Sequence, residues 1–188
     1  MSITIVTTGL HGVLIVETER FEDERGCFEE SWNRRTFREA GLDVDFVQDN
    51  RSLSLRAGTL RGLHFQAPPH SQDKLIRCAA GAIFDVAVDI RCGSPTFGQW
   101  IAVELTPGSK KQLFIPQGFL HGFLTLTDNT VVEYKCSDFY EPDCDGSIRW
   151  DSLGIDWPLR SPPILSAKDR AAIDFAHFES PFIFGEEL

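Results

Sequence analysis

Two histidines and two tyrosines lie in segments that otherwise read as apolar strands, and these are the side chains best suited to moving a proton. His64 sits within Gly58–Gln66, GTLRGLHFQ. Histidine titrates near neutrality and serves as a general base. A lone strand histidine is also commonly a core residue that has found a hydrogen bond. The spacing leaves both readings open. The chain's only two tyrosines, Tyr134 and Tyr140, occur together in YKCSDFY. An unbroken strand would put both on one face with Cys136 and Asp138. They are either amphipathic core tyrosines with wet hydroxyls or phenols placed as proton donors.

His121, after the turn in PQGFLHGF, raises a metal site as another possibility. The matching half-motif would need His-x-His and a later Glu, whereas His64 is followed by Phe65 and Gln66. Two histidines without a third strong ligand make a poor zinc or iron site, so no metal is expected. There is no G-x-G-x-x-G and no G-x-x-x-x-G-K-[ST], hence no dinucleotide or P-loop fingerprint. No Ser or Cys occupies a nucleophile elbow.

The elements that must position these residues read mostly as strands. GVLIVET, LSLRAGTLRGLHFQ, KLIRCAAGAIFDVAVDI, WIAVEL, KQLFIPQGFLHGFLTL and TVVEYKCSDFY are rich in β-branched and aromatic residues, and Gly, Pro, Asp and Asn separate them. Short strands at close spacing imply a sandwich or barrel. In AIFDVAVDI, Phe84, Val86, Val88 and Ile90 should face a core, leaving Asp85, Ala87 and Asp89 toward solvent or a polar cavity. In GTLRGLHFQ, strict alternation separates Arg61 from His64. They share a site only if the strand bulges, and Gly62 suits a bulge. NRRTFREAG reads as a helix capped by Asn33 and ended at Gly41. SAKDRAAIDFAHF reads as a second, begun by Ser166 with Asp169 three residues on.

The 188 residues suit a single domain over 1–188, 42% hydrophobic and large enough for a real core. A net charge of −10 repels phosphate backbones and anionic membranes, so neither nucleic acid nor membrane is an expected partner. A small anion remains possible where a few cations converge. Five cysteines, at 27, 78, 92, 136 and 144, form no C-x-x-C and suit reduced thiols in the cytoplasm. The N-terminal stretch has neither a basic n-region nor a long apolar core.

Taken in order, FEDERGCFEESW, FVQDNRSLS, GTLRGLHFQ, KLIRCAAGAIFDVAVDIRCGSPTFGQW, QLFIPQGFLHGFLTL, YKCSDFY, GSIRWDSLGIDWP and LSAKD resemble the dTDP-4-dehydrorhamnose 3,5-epimerase family over nearly the whole chain. The resemblance implies a mainly β, cupin-type jelly-roll sandwich with short peripheral helices, an N-terminal strand extension and a C-terminal helix. It implies a homodimer without a cofactor, acting on dTDP-4-dehydro-6-deoxy-D-glucose at C3 and C5. The C4 ketone acidifies the protons on both neighbouring carbons, so a base can form an enolate. Inversion then needs a second group on the opposite face of the ring.

By resemblance His64 is the base, Tyr134 the acid, Asp169 the orienting aspartate (beside its capping role) and Lys74 the cation at the enolate oxygen. Asp85 would support Lys74 or His64. Arg25 and Arg61 would hold the diphosphate, the first reaching in from a neighbouring subunit. Glu30, Gln48, Asp49, Asn50, His121 and Lys168 match further substrate contacts. Phe21 and Tyr140 would stack or pack against base and sugar. Asp145 stands where relatives often carry Glu.

Overall fold

A computed structural model describes residues 2–185. In chain order the strands are β1 (Ile3–Thr7), β2 (Leu14–Thr18), β3 (Arg20–Asp23), β4 (Gly26–Glu29), β5 (Gln48–Ser54), β6 (Leu60–Gln66), β7 (Lys74–Ala80), β8 (Ile83–Asp89), β9 (Trp100–Leu105), β10 (Lys111–Ile115), β11 (Phe119–Thr125), β12 (Thr130–Cys136) and β13 (Asp145–Ser147). One sheet has the order β1-β2-β10-β7-β12-β5 and the other β13-β6-β11-β8-β9. The pairs β11–β6, β11–β8 and β12–β7 are antiparallel, as a jelly roll requires. β3 and β4 form a separate hairpin that the sequence reading did not mark as strands.

Apolar residues fill three layers. Ile76, Ala87, Leu113, Phe119, Phe123 and Val132 meet between the sheets. Leu60, Leu63, Val86, Val88 and Ile90 pack outward against Ile155, Trp157 and Phe182 of the C-terminal segment. Phe37 of helix α1 (Arg34–Glu39) covers Val16, Leu75 and Phe114 on the outer face of the six-stranded sheet. Strand β8 is therefore buried on both sides. Its apolar set faces a core as expected, the one beneath the C-terminal segment, and of the two environments open to Asp85 and Asp89 both take buried polar niches.

The caps of α1 follow the sequence. Asn33 accepts hydrogen bonds from the Arg35 and Thr36 N–H groups, and Gly41 takes φ +95° beyond the last turn. The second helix is shorter than the sequence suggests. α2 spans only Ala167–Arg170. Beyond it Ile173 leaves the helical path to bridge Ile148, and its carbonyl accepts from Arg149 N at 2.8 Å. Asp174 then caps a separate 3-10 turn, Phe175–His177.

The stretch LSLRAGTLRGLHFQ divides between the two sheets as β5 and β6. Within β6 the register shifts. His64 lies opposite His121, but Arg61 lies opposite Phe123, so three residues of β6 span two of β11. Gly62 makes this possible. Its φ is +125°, and a Cβ there would stand 2.5 Å from Gly122 Cα. The bulge turns Leu60 and Leu63 to the outer core and brings Arg61 and His64 to one cavity. Gly62→Ala combines a left-handed φ with a backbone clash. It should destabilise the fold by about 3 kcal/mol, read from the urea midpoint. An unchanged midpoint would mean that the strand tolerates a regular ladder here.

Candidate active site

Two hollows of about 410 and 370 Å³ adjoin between the sheets, and His64, Lys74 and Tyr134 line both. The five-stranded sheet supplies Arg61 and His64 from β6 and His121 from β11. The six-stranded sheet supplies Lys74 from β7, Tyr134 from β12, and Gln48, Asn50 and Ser52 from β5. His64 and Tyr134 thus enter from opposite walls.

His64 Nε2 donates to Asp169 Oδ1 at 2.6 Å. Asp169 is only 3% exposed. Its second oxygen accepts from Ser166 Oγ at 2.7 Å, and Ser166 Oγ accepts from Asp169 N at 3.0 Å. The capping and orienting roles of this turn therefore coexist. Burial alone would raise the Asp169 carboxyl, but the hydrogen bonds from His64 and Ser166 outweigh it and hold the group below its ordinary value. An ionised Asp169 fixes the proton of a neutral His64 on Nε2 and leaves Nδ1 as the basic nitrogen.

A second pair lies beside the first. His121 Nε2 donates to Asp85 Oδ1 at 2.7 Å. Asp85 is fully buried, burial pushes its carboxyl upward, and its other oxygen has no hydrogen-bond partner among the described residues. The expectation that Asp85 supports Lys74 or His64 is thereby corrected: alternation on β8 aims it at His121, across the Phe123–Asp85 and His121–Ala87 register. Burial lowers the Lys74 ammonium and raises the Tyr134 phenol. Arg61 is held by Ser54 Oγ and Leu53 O, both at 3.2 Å.

The second hollow gathers Gln48, Asn50, Tyr140, Asp145 and Lys168. Strand β12 ends at Cys136, so Tyr140 does not arrive by strand alternation as YKCSDFY suggested. Asp138 turns away and pairs with His70 Nδ1 at 3.0 Å. Tyr140 stands on the following loop. Its hydroxyl donates to Asp145 Oδ2 at 3.0 Å, and Lys168 forms an ion pair with the same oxygen.

Four residues expected at the site stand elsewhere in the chain. Phe21 and Arg25 ride on the β3–β4 hairpin, where Arg25 pairs with Asp23. Glu30 accepts from Asn33 Nδ2 at 2.9 Å and Thr36 Oγ1 at 3.2 Å at the start of α1. Asp49 is exposed and meets Lys135, because alternation on β5 sends its neighbours Gln48 and Asn50 inward. Conversely, Ser52, Gln66, Gln72 and Cys136 line the cleft without having been singled out. Ser52 could have been found as the next inward residue after Gln48 and Asn50, and Gln66 as the next after His64. Gln72, on a loop, gave no signal.

A jelly roll with a carboxylate-oriented histidine facing a phenol across a cleft, and a half-buried lysine lining the same cleft, defines an enzyme of proton transfer, an isomerase of the cupin type. The chain belongs to the dTDP-4-dehydrorhamnose 3,5-epimerase family, whose model matches residues 7–177. It is 52% identical over 171 residues to the dTDP-4-dehydrorhamnose 3,5-epimerase of Salmonella typhimurium, covering 89% of this chain and 93% of that one. The crystal structure of dTDP-6-deoxy-D-glucose-3,5-epimerase from Legionella pneumophila, in complex with dTDP-4-keto-L-rhamnose, is 44% identical. It superposes with a TM-score of 0.90 over 94% of this chain and 95% of that one. The family's enzyme from Bacillus anthracis, with TDP and PPi bound, is also 44% identical, with a TM-score of 0.89 over 92% and 99% of the two chains.

Proposed function

We propose that this protein converts dTDP-4-dehydro-6-deoxy-D-glucose to dTDP-4-dehydro-L-rhamnose by inverting C3 and C5, as a step in dTDP-L-rhamnose formation. The observation that carries the reading is the placement of His64 and Tyr134 on opposite sheets with one cleft between them. A sugar ring in that cleft offers one face to each. His64, through Nδ1, takes the proton next to the C4 ketone. Lys74, as a cation, stabilises the enolate oxygen. Tyr134 returns a proton from the other side.

Three cations, Arg61, Lys74 and Lys168, line the cleft of a chain whose net charge is −10, which supports an anionic ligand. Arg61 holds phosphate oxygens. His121, Gln48, Asn50, Asp145 and Lys168 surround sugar and nucleotide, and Tyr140 packs against the base.

The active form is a homodimer in which the β3–β4 hairpin reaches the neighbouring copy's cleft with Phe21 and Arg25, while Glu30 and Asp49 act at the joined sites. Two cross-strand aromatics on this hairpin, Phe21 and Phe28, are 49% and 62% exposed, which favours such a contact. The enzyme works in the cytoplasm without a cofactor.

Incubation with the dTDP-4-keto sugar in D₂O tests the reaction. Deuterium should enter at both C3 and C5 of an L-configured product. Deuterium confined to C3 would indicate a single inversion, and no exchange at all would leave a binding protein in place of an enzyme.

A further inference from the structure

The carboxamide of Gln66 lies two residues beyond His64 on β6, and only 5% of the residue is exposed. Its hydrogen bonds are arranged around Tyr140. Nε2 donates to Phe139 O at 2.8 Å, and Oε1 accepts from Glu141 N at 2.9 Å. Nε2 also donates to His70 O. The residues immediately before and after Tyr140 are thus gripped by one side chain, in the way a neighbouring strand would grip them. A primary amide suits this task because it offers a donor and an acceptor in one plane.

The same loop is held from two other directions. Gln72 Nε2 donates to Asp138 O at 2.8 Å, and Gln48 Oε1 accepts from Tyr140 N at 3.0 Å. Asp145, which lies opposite Gln66 in the β13–β6 register, takes the Tyr140 hydroxyl. This loop has left strand β12, so no sheet ladder fixes it. Its conformation depends on these side-chain bonds.

We infer that Gln66 is a positioning residue for Tyr140, so that β6 builds the aromatic wall of the nucleotide hollow as well as presenting the base. The inference rests on the nucleoside-diphosphate reading of that hollow. It also assigns Gln48 and Asp145 a share in holding Tyr140, whatever contact they make with a ligand. The dyad has its own fastenings, through Ser166 and the buried Asp169, so loss of Gln66 falls on binding and not on chemistry.

The experiment is titration calorimetry with thymidine diphosphate, alongside steady-state kinetics, on Gln66→Met and the isosteric Gln66→Glu. Glu keeps the acceptor for Glu141 N but turns a second oxygen toward the Phe139 and His70 carbonyls. Both variants should weaken thymidine diphosphate and raise KM about tenfold, while kcat falls less than threefold. In a Tyr140→Ala background the Gln66 substitutions should cost nothing more, since the residue they position is gone. Should the buried variants fail to fold, Gln72→Met removes one bond from the same loop at the rim and should give the same pattern at about threefold.

Unchanged affinity in the folded variants would overturn the inference. So would a loss confined to kcat, or a loss that adds fully to that of Tyr140→Ala, which would make Gln66 a direct contact. Wild-type protein that ignored thymidine diphosphate would instead overturn the reading of the hollow itself.

Discussion

His64→Ala is expected to lower kcat about 10³-fold or more while thymidine diphosphate affinity stays within about threefold. General-base catalysis by a positioned side chain is worth about 10²–10⁴-fold, and a 10³-fold loss corresponds to about 4 kcal/mol of transition-state stabilisation. The upper part of that range applies because the cleft offers no ready substitute. The other histidine, His121, lies opposite His64 on the neighbouring strand, but its Nε2 is committed to Asp85. Lys74 cannot act as base and as enolate cation in the same step.

Alanine also strips the 2.6 Å partner from Asp169, a carboxylate that is 3% exposed. Leaving a buried charge short of a donor costs stability as well as activity. His64→Gln separates the two effects. Its amide nitrogen reaches the position of Nε2 and can still donate to Asp169, so the fold should recover while kcat remains as low as in the alanine variant. If His64→Gln restored turnover in the D₂O exchange assay, His64 would be a structural member of the cleft and not its base.

The legible and the illegible parts of this site differ in how far apart in sequence their causes lie. Alternation on β8 and the glycine in GTLRGLHFQ were local, and both gave correct geometry: the bulge at Gly62 brings Arg61 and His64 together. The caps of α1 were local too. What His64 does was not local. Its partner Asp169 stands 105 residues away, on a single helical turn whose residue pattern reads as a longer helix. That turn ends because Ile173 finds a bridge to Ile148, a tertiary contact that propensity cannot anticipate.

The pairing of Asp85 with His121 was hidden for the same reason. Period 2 says which face a side chain takes, and the register between strands decides whom it meets there. Tyr140 shows the limit from the other side. It reaches the cleft, but through a loop held by three glutamines and not by the strand alternation that made it noticeable. Family resemblance alone suggested Phe21, Arg25, Glu30 and Asp49 as site residues, and all four lie outside this chain's own cleft.

Tyr134→Phe should separate proton removal from inversion. The ring is retained between β5 and β7, so packing changes little and only the hydroxyl is lost. His64 can still form the enolate and, after exchanging its proton with solvent, return deuterium to the face it came from. The expected result in D₂O is deuterium in recovered substrate at a rate within about tenfold of wild-type exchange, with formation of epimerised product down about 10²–10³-fold. Full epimerisation in this variant would assign the acid to another group. Tyr140 is poorly placed for that, since its hydroxyl already donates to Asp145 at 3.0 Å.

The pH profile adds an independent check with a definite sign. Burial raises the Tyr134 phenol, so it stays protonated, and able to donate, above the ordinary tyrosine range. Burial lowers Lys74, so its cationic form is lost as pH rises through a value below that of free lysine. The two shifts run in opposite directions, and loss of the Lys74 cation is the event expected to set the alkaline limb. Exchange by wild type and by Tyr134→Phe should therefore decline along the same alkaline limb, and Lys74→Arg, whose charge persists, should move that limb upward in both. A limb present in wild type but absent from Tyr134→Phe would instead assign the alkaline loss to the phenol.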